Sequence, residues 1–393
     1  MGTQAPPRSV QGVLSEGVNA DRAVIGDPQH WMVAETSPAR GRAVPPYTSR
    51  FASIGVLIPE PTLSTAELMA STAHHPHIDL ERLTGVRSRH VVGPGEDSIT
   101  LAVGAAREAL QRAAIDAGEI EMLINCSISR YQGGLSMRFE PPLSLAVKQA
   151  IGATRAISFD ISNACAGMLT GVFILNDFIR RGVITRGMVV SGEDISSLAR
   201  NAASDVRTIL SSQLASLTVG DAGAAAILER APEGAPGINI ASFTTIAEHS
   251  RLCLAYPSKS APGAVMYTKA RKLQQMAIVD VPILLREALA VGGIKLDEVD
   301  YVIPHQTSSR AIRKGLEALT REFGAAPKHM VNNIGDYGNT ASTTHFVALH
   351  RYLEEGRFKS GDKVLLLALA SGMEVGVVEF TVDEMVERYG NHD

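Results

Sequence analysis

Apolar residues along this chain recur in two rhythms. Short β-branched and apolar runs alternate with longer stretches whose apolar positions return every three or four residues. The first rhythm predicts strands over 51–58, 122–126, 156–161, 187–191, 222–228, 237–245, 301–304, 363–370 and 375–382. The second predicts helices over 99–113, 165–181, 277–290 and 339–355. Strands and helices alternating in this way predict an α/β layered protein. Residues 1–49 show neither rhythm. They are rich in Gly, Pro, Ala and Arg, run through Pro45-Pro46, and read as a flexible N-terminal extension.

The pattern also repeats. Arg107-Glu108-Ala109-Leu110 recurs as Arg286-Glu287-Ala288-Leu289, an offset of 179 positions. In the same register Glu119-Ile120-Glu121 meets Glu298-Val299-Asp300, and the strand ending at Cys126 meets the strand ending at His305. A second register, at an offset of 174, pairs Arg180-Arg181-Gly182 with Glu354-Glu355-Gly356 and sets Cys165 opposite Asn339. The chain therefore divides into the extension 1–49, a first α/β half 50–233 that carries the cysteine, and a second half 234–393 that carries the histidine and asparagine.

Composition narrows the function classes. The 393 residues are 45% hydrophobic and 20% charged, which is ordinary globular composition with ample core material. A net charge of -4 provides no broad basic field for nucleic acid or anionic membrane. The three cysteines, Cys126, Cys165 and Cys253, match neither a disulfide framework nor a zinc pattern, so no metal is expected and a reducing compartment is. No apolar run is long enough to span a bilayer, and no secretion signal opens the chain. The expectation is a cytoplasmic protein.

Candidate chemistry centres on Asn163-Ala164-Cys165-Ala166-Gly167, which follows a predicted strand and opens a predicted helix. A cysteine there meets the positive end of the helix dipole, which favours thiolate. The small neighbours let a substrate arm approach closely. A buried, inert cysteine fits the same spacing.

This segment resembles the nucleophile motif of the ketoacyl-ACP synthase III group of thiolase-fold enzymes. Three further segments agree in order: Ile303-Pro304-His305-Gln306-Thr307, Tyr337-Gly338-Asn339-Thr340-Ala341-Ser342, and Gly220-Asp221-Ala222-Gly223-Ala224, the last with Ala222 where Gly is usual. The resemblance runs from about Tyr47 to the C-terminus. It implies a five-layered αβαβα thiolase fold built from two duplicated halves, and a homodimer. It implies an acyl-transferring condensing enzyme that needs no cofactor and takes acyl-CoA or acyl-carrier-protein thioesters, in fatty acid, polyketide or secondary metabolism. In that scheme Cys165 carries the acyl group, and His305 and Asn339 stabilise an enolate. Backbone N–H groups of Cys165 and Gly372 hold an oxyanion. Arg310 meets acidic groups of a carrier, and Arg87 and Arg89 are candidates to face a phosphate. His345 reads as a structural helix residue behind Asn339. The stretch 195–217, rich in Ala, Ser and Leu, falls where the family forms part of its acyl pocket.

Two departures matter. Glu140, just before Pro141, stands where the family usually has an aromatic residue that reaches into the partner's acyl pocket. A glutamate there resembles OleA-type enzymes, which condense two acyl-CoAs without prior decarboxylation. A carboxylate beside an apolar tunnel would have a raised pKa and would serve as base. Asp79 and Leu83 replace the Trp and Arg that hold a CoA nucleotide ahead of the pair Thr84-Gly85. Other readings are an acyltransferase to an oxygen or nitrogen nucleophile, and an inactive partner subunit of a heterodimer.

Overall fold

The computed structural model describes residues 45–389. Most of the predicted extension, residues 1–44, lies outside the described residues. The boundary at residue 49 is one residue late. Ser49 is buried and opens the first strand, its hydroxyl donating to Asn176 Oδ1 at 2.7 Å.

In chain order, the first part comprises β1 (Ser49–Leu57), β2 (Thr62–Ser64), α1 (Thr65–Ala70), α2 (Leu80–Thr84), β3 (Ser88–His90), α3 (Ser98–Ala113), β4 (Met122–Asn125), α4 (Leu143–Ile151), β5 (Ile157–Asp160), α5 (Gly167–Arg180), β6 (Arg186–Glu193), α6 (Ser197–Asp205) and β7 (Ala222–Arg230). The second comprises β8 (Ile238–Thr245), β9 (Cys253–Pro257), β10 (Ala264–Thr268), α7 (Ala270–Gly292), β11 (Tyr301–Pro304), α8 (Ser309–Phe323), β12 (His329–Met330), α9 (Ile334–Tyr337), α10 (Thr344–Glu354), β13 (Lys363–Ala370) and β14 (Glu374–Thr381).

Two five-stranded sheets share one topology. The first runs β1-β7-β6-β4-β5 and the second β8-β14-β13-β11-β12. In each, the first two pairings are antiparallel and the last two parallel. Helices α3 and α4 cover the outer face of the first sheet, and α7 the outer face of the second, with α8 packed on α7. Helices α5 and α10 lie between the sheets. The result is a five-layered αβαβα fold made of two duplicated halves.

The middle layer is the driest. Met168, Leu169, Val172 and Leu175 of α5 and Phe346, Ala348 and Leu349 of α10 are all wholly buried. Each of the larger side chains contributes about 2 kcal/mol of apolar transfer free energy. On the outer face α3 presents Ala102, Ala105, Ala106 and Ala109 to the sheet, all fully buried. Glycines opposite let its backbone lie almost on the strands. A Cβ at Gly223 would fall 2.2 Å from Leu101 O, and one at Gly192 would fall 2.0 Å from Ser98 O.

The duplication corrects one detail of the sequence register. Helix α5 has 14 residues and α10 has 11, so a register read at their C-terminal ends does not hold at their N-terminal ends. Each helix is entered through a 3-10 turn, Ala164–Ala166 or Ala341–Thr343, whose first residue has positive φ, 44° at Ala164 and 53° at Ala341. The counterpart of Cys165 is therefore Ser342, not Asn339. The predicted helix starts at 165 and 339 move to Gly167 and Thr344 for the same reason. Helix α7 begins earlier than predicted and runs through the buried Pro282. Helices α4, α6 and α8 and the β9–β10 hairpin were not predicted.

Substituting Gly223 by Ala is expected to lower stability by about 1–3 kcal/mol, because the new methyl meets backbone rather than a movable side chain. Urea unfolding checks this: the midpoint falls with an unchanged m-value.

Candidate active site

The chain leaves β5, passes Ile161 and Ser162, and reaches Asn163, whose Nδ2 donates to Thr170 Oγ1 at 2.8 Å on the first turn of α5. Ala164 is then forced into left-handed backbone, which costs about 1–2 kcal/mol for a residue with a Cβ. That bend puts Cys165 on the 3-10 turn ahead of α5. The turn packs against the 3-10 turn Ala341–Thr343 and against β13 and β14. Cys165 also borders the apolar cluster of Leu198, Ala199, Ala202, Leu217 and Val219, which the stretch 195–217 largely supplies.

The expected thiolate is not what this setting favours. Burial pushes the Cys165 thiol well up from its ordinary value, and the nearby Cys253 and Glu193 add to the shift. The dipole of a helix start is a partial charge. It is outweighed here by desolvation and by a buried carboxylate.

His305 follows β11, and its backbone N–H donates to Leu367 O of β13 at 3.0 Å. The ring is buried, its Nδ1 has no partner, and burial with a smaller push from His345 lowers its pKa to about 3. The two imidazoles stand 5.9 Å apart, centroid to centroid. His345 Nε2 reaches the same Leu367 carbonyl at 3.1 Å, and burial lowers its pKa to about 4. Both rings are therefore kept neutral chiefly by burial.

Asn339 is anchored on both sides. Its N–H donates to Thr218 O at 2.8 Å, and its C=O accepts from Gly220 N–H at 3.0 Å. Its Oδ1 accepts from Ala341 N–H at 3.0 Å, which fixes the amide plane and leaves the NH₂ as the group that can face a substrate. Gly372 lies in the β13–β14 turn at φ 118°, beside the Cys165 turn. The structure thus brings Cys165, His305, Asn339 and Gly372 to the same end of the central layer.

It does not bring Glu140 there within one chain. Glu140 is exposed, next to Phe139 at 79% exposure, on the loop before α4. Among the described residues, no apolar surround of the kind expected encloses it. The loop is pinned where Asp160, the last residue of β5, accepts from Leu143 and Ser144 N–H at 3.1 and 2.9 Å. Arg310 is exposed on the first turn of α8. Arg87 lines a polar cleft with Ser309, Asn332 and Arg351, and pairs with Asp336. Arg89 cannot face a phosphate. It is wholly buried, donates to Thr65 Oγ1 and Leu217 O at 3.1 and 3.0 Å, and is lowered by burial to about 10. Asp79, in place of the aromatic residue, caps α2 by accepting from Arg82 N–H at 2.9 Å.

Two groups near Cys165 escaped the sequence reading. Glu193 ends β6 with no exposure, and Cys253 opens β9. Neither sits in a motif; only the tertiary fold brings them to Cys165. Among the described residues, Glu108, His350 and Glu354 have metal-like spacing. Arg112 already supplies the cation, at 2.8 and 2.6 Å from the two carboxylates. No described helix is long and apolar enough to cross a membrane.

The depressed histidines make stability fall in acid. The unfolded chain takes up protons near pH 6.5 that the folded site refuses until about pH 3 or 4. Stability is fully present above pH 6.5. At pH 5 each ring has cost about 2 kcal/mol. His345→Gln is expected to flatten the decline between pH 7 and pH 5 relative to wild type, as read by urea unfolding.

Comparison with known proteins fits this geometry. The family described as 3-oxoacyl-[acyl-carrier-protein (ACP)] synthase III matches residues 159–248, and its C-terminal counterpart matches residues 289–382. The beta-ketoacyl-[acyl-carrier-protein] synthase III of Rhizorhabdus wittichii is 26% identical over 324 residues, covering 82% of this chain and 95% of its own. That of Symbiobacterium thermophilum is 28% identical over 337 residues, covering 83% and 95%. Among solved structures, a Xanthomonas campestris OleA variant with bound lauric acid and lauroyl-CoA superposes with TM-score 0.74 at 25% identity, covering 85% of this chain and 99% of its own. The 3-oxoacyl-[acyl-carrier-protein] synthase III of Aquifex aeolicus superposes with TM-score 0.71 at 25% identity, covering 85% and 100%. With the αβαβα duplication and with cysteine, histidine and asparagine gathered at one end of its central layer, the chain is a synthase III-like condensing enzyme of the thiolase fold with OleA-like features.

Proposed function

We propose that the enzyme forms a β-ketoacyl product from two acyl thioesters through an acyl group carried on Cys165. The supporting observation is the meeting of the Cys165 turn with the Asn339 segment and with β13, whose Leu367 carbonyl holds both His305 and His345. Cys165 attacks the first thioester, and the departing thiol leaves with the cysteine's proton. The N–H groups of Cys165 and Gly372 receive the oxyanion. The second thioester, carrying a carboxylate on its α-carbon, then loses CO₂, and the electron pair of the broken C–C bond becomes the enolate, whose oxygen is held by neutral His305, protonated on Nε2, and by the Asn339 amide. A histidine kept neutral donates one hydrogen bond without presenting a competing charge. Attack on the acyl group frees Cys165. Acyl-CoA and acyl-carrier-protein thioesters are the substrates in this reading, with Arg310 and Arg87 on the approach.

A second reading, condensation without decarboxylation, is favoured by Glu140. Variants of Xanthomonas campestris OleA have been solved at a glutamate, a cysteine and a histidine whose spacing is close to that of Glu140, Cys165 and His305. In this reading the enzyme is a homodimer, and Glu140 removes the α-proton in the partner subunit's site. The free edge of β5, where Ile157 is 65% exposed, and the exposed Phe139 support such pairing.

Incubation with acyl-CoA or acyl-carrier protein, followed by intact mass, is expected to show an acyl adduct on wild type that Cys165→Ala abolishes. An adduct that persists in the variant would defeat the covalent scheme. Glu140→Gln is expected to keep the adduct and to lose at least tenfold in condensation of two acyl-CoAs. Unchanged turnover would remove Glu140 as base and leave the decarboxylative route, assayed with a malonyl thioester.

A further inference from the structure

Glu374 opens β14 directly after the β13–β14 turn that carries Gly372. The register sets it opposite Ala370 of β13, so both side chains leave the same face of the sheet. Its neighbours on that face, Leu366, Ala368, Ala370, Val378 and Phe380, belong to the apolar cluster of the central layer. The face therefore looks inward. Glu374 is its last residue on β14, at the end where the Cys165 turn packs on β13 and β14.

The carboxylate lies between two backbone segments. On one side is Gly372, where an added Cβ would stand 3.6 Å from Glu374 Oε1 and 3.8 Å from its Cγ. On the other is Asn163, two residues before Cys165, whose side chain hydrogen-bonds to the carboxylate. An asparagine amide has two N–H donors. One goes to Thr170 Oγ1 at 2.8 Å, and that hydroxyl in turn donates to Ala166 O at 2.9 Å. The second N–H is the one that serves Glu374. A chain of contacts thus runs from the Gly372 turn through Glu374 and Asn163 to the first turn of α5. It crosses from one half of the duplicated fold to the other.

Packing alone does not account for a carboxylate at this position. Glu374 is half-buried, and its Oε2 is buried with no hydrogen-bond partner. Such an oxygen costs stability. An apolar side chain would continue the inner face without that cost. Burial pushes the Glu374 carboxyl up, and the Asn163 contact pulls it part of the way back.

We propose that Glu374 is a positioning residue that ties the Cys165 turn to the Gly372 turn and so sets the spacing of their two backbone N–H groups. This rests on the reading of those groups as the oxyanion donors and of Cys165 as nucleophile. The donors come from different halves of the chain, and an oxyanion needs each within about 2.7–3.1 Å. Ala164, ahead of Cys165, holds left-handed backbone, and Gly372 has φ 118°. Neither turn is part of an α-helix or a strand, so a side-chain tie between them is what resists small relative shifts.

The test compares two reactions of one thiol. Acyl transfer from acyl-CoA to Cys165 develops an oxyanion; alkylation by iodoacetamide does not. Both are followed by mass, with peptide mapping to isolate Cys165. Glu374→Ala is expected to slow acylation about tenfold and to leave alkylation within about twofold of wild type. Glu374→Gln keeps an oxygen that accepts from Asn163 and is expected to recover most of the acylation rate. Adding Glu374→Ala to Asn163→Ala is expected to cost little beyond Asn163→Ala alone, because the two side chains act as one tie. Unchanged acylation in folded Glu374→Ala overturns the proposal. So does an equal loss in both reactions, which marks a disturbed thiol rather than a loosened oxyanion site. Additive losses in the double variant overturn it too. Absence of an acyl adduct from wild type removes the nucleophile reading and this proposal with it, whereas normal acylation of Glu374→Ala removes the proposal alone.

Discussion

The packing of two apolar helices between two sheets is the constraint on which the rest of this structure depends. Helices α5 and α10 bury most of their residues, because each has a sheet on both sides. The middle of that layer is apolar, so a polar group buried at its end is costly unless it is bonded, neutral or matched by donors. His305 and His345 are held neutral by desolvation. Asn339 spends its oxygen on a backbone N–H. Glu193 is ringed by five donors. The same dryness that stabilises the core determines the charge state of the site.

Duplication supplies the frame, and asymmetry within it supplies the chemistry. Both middle helices are entered through a 3-10 turn started by an alanine of positive φ. In one half the next residue is Cys165. In the other it is Ser342, which has become a hydrogen-bond donor to the first half. The parallel strands β4 and β11 are likewise followed by Cys126, which is buried, and by His305, whose ring lies by the site. One topology used twice therefore places Cys165 from one half at the same end of the central layer as His305 and Asn339 from the other, without a long loop to carry either.

Much of this was legible in the chain. The strands of both sheets follow from alternating or continuous apolar runs, and the repeat of Arg107–Leu110 at Arg286–Leu289 announces the duplication. Cys165, His305 and Asn339 lie in segments that, taken together and in order, resemble those of ketoacyl-ACP synthase III enzymes. Helix α8 was hidden because its exposed face carries Arg310 and Arg313 and only Ile312, Ala318 and Leu319 are buried, a sparse apolar stripe. The β9–β10 hairpin was hidden because its strands are only partly buried and its turn carries no decisive residue pair.

The sequence by itself determined the αβ alternation, the duplication and the candidate site residues, since these reside in local periodicity and in short ordered motifs. Tertiary structure alone decided their electrostatic state. A helix-start cysteine reads as a thiolate until burial and Glu193, 28 positions away in the chain, are placed beside it. An Arg two residues from an exposed Arg reads as a phosphate ligand until its guanidinium is found bonded to carbonyls in the core. Glu140 reads as a buried base until its loop is seen on the outside of its own protomer. In each case the deciding quantity is desolvation, which depends on what the rest of the chain packs against the residue, and no local pattern records it.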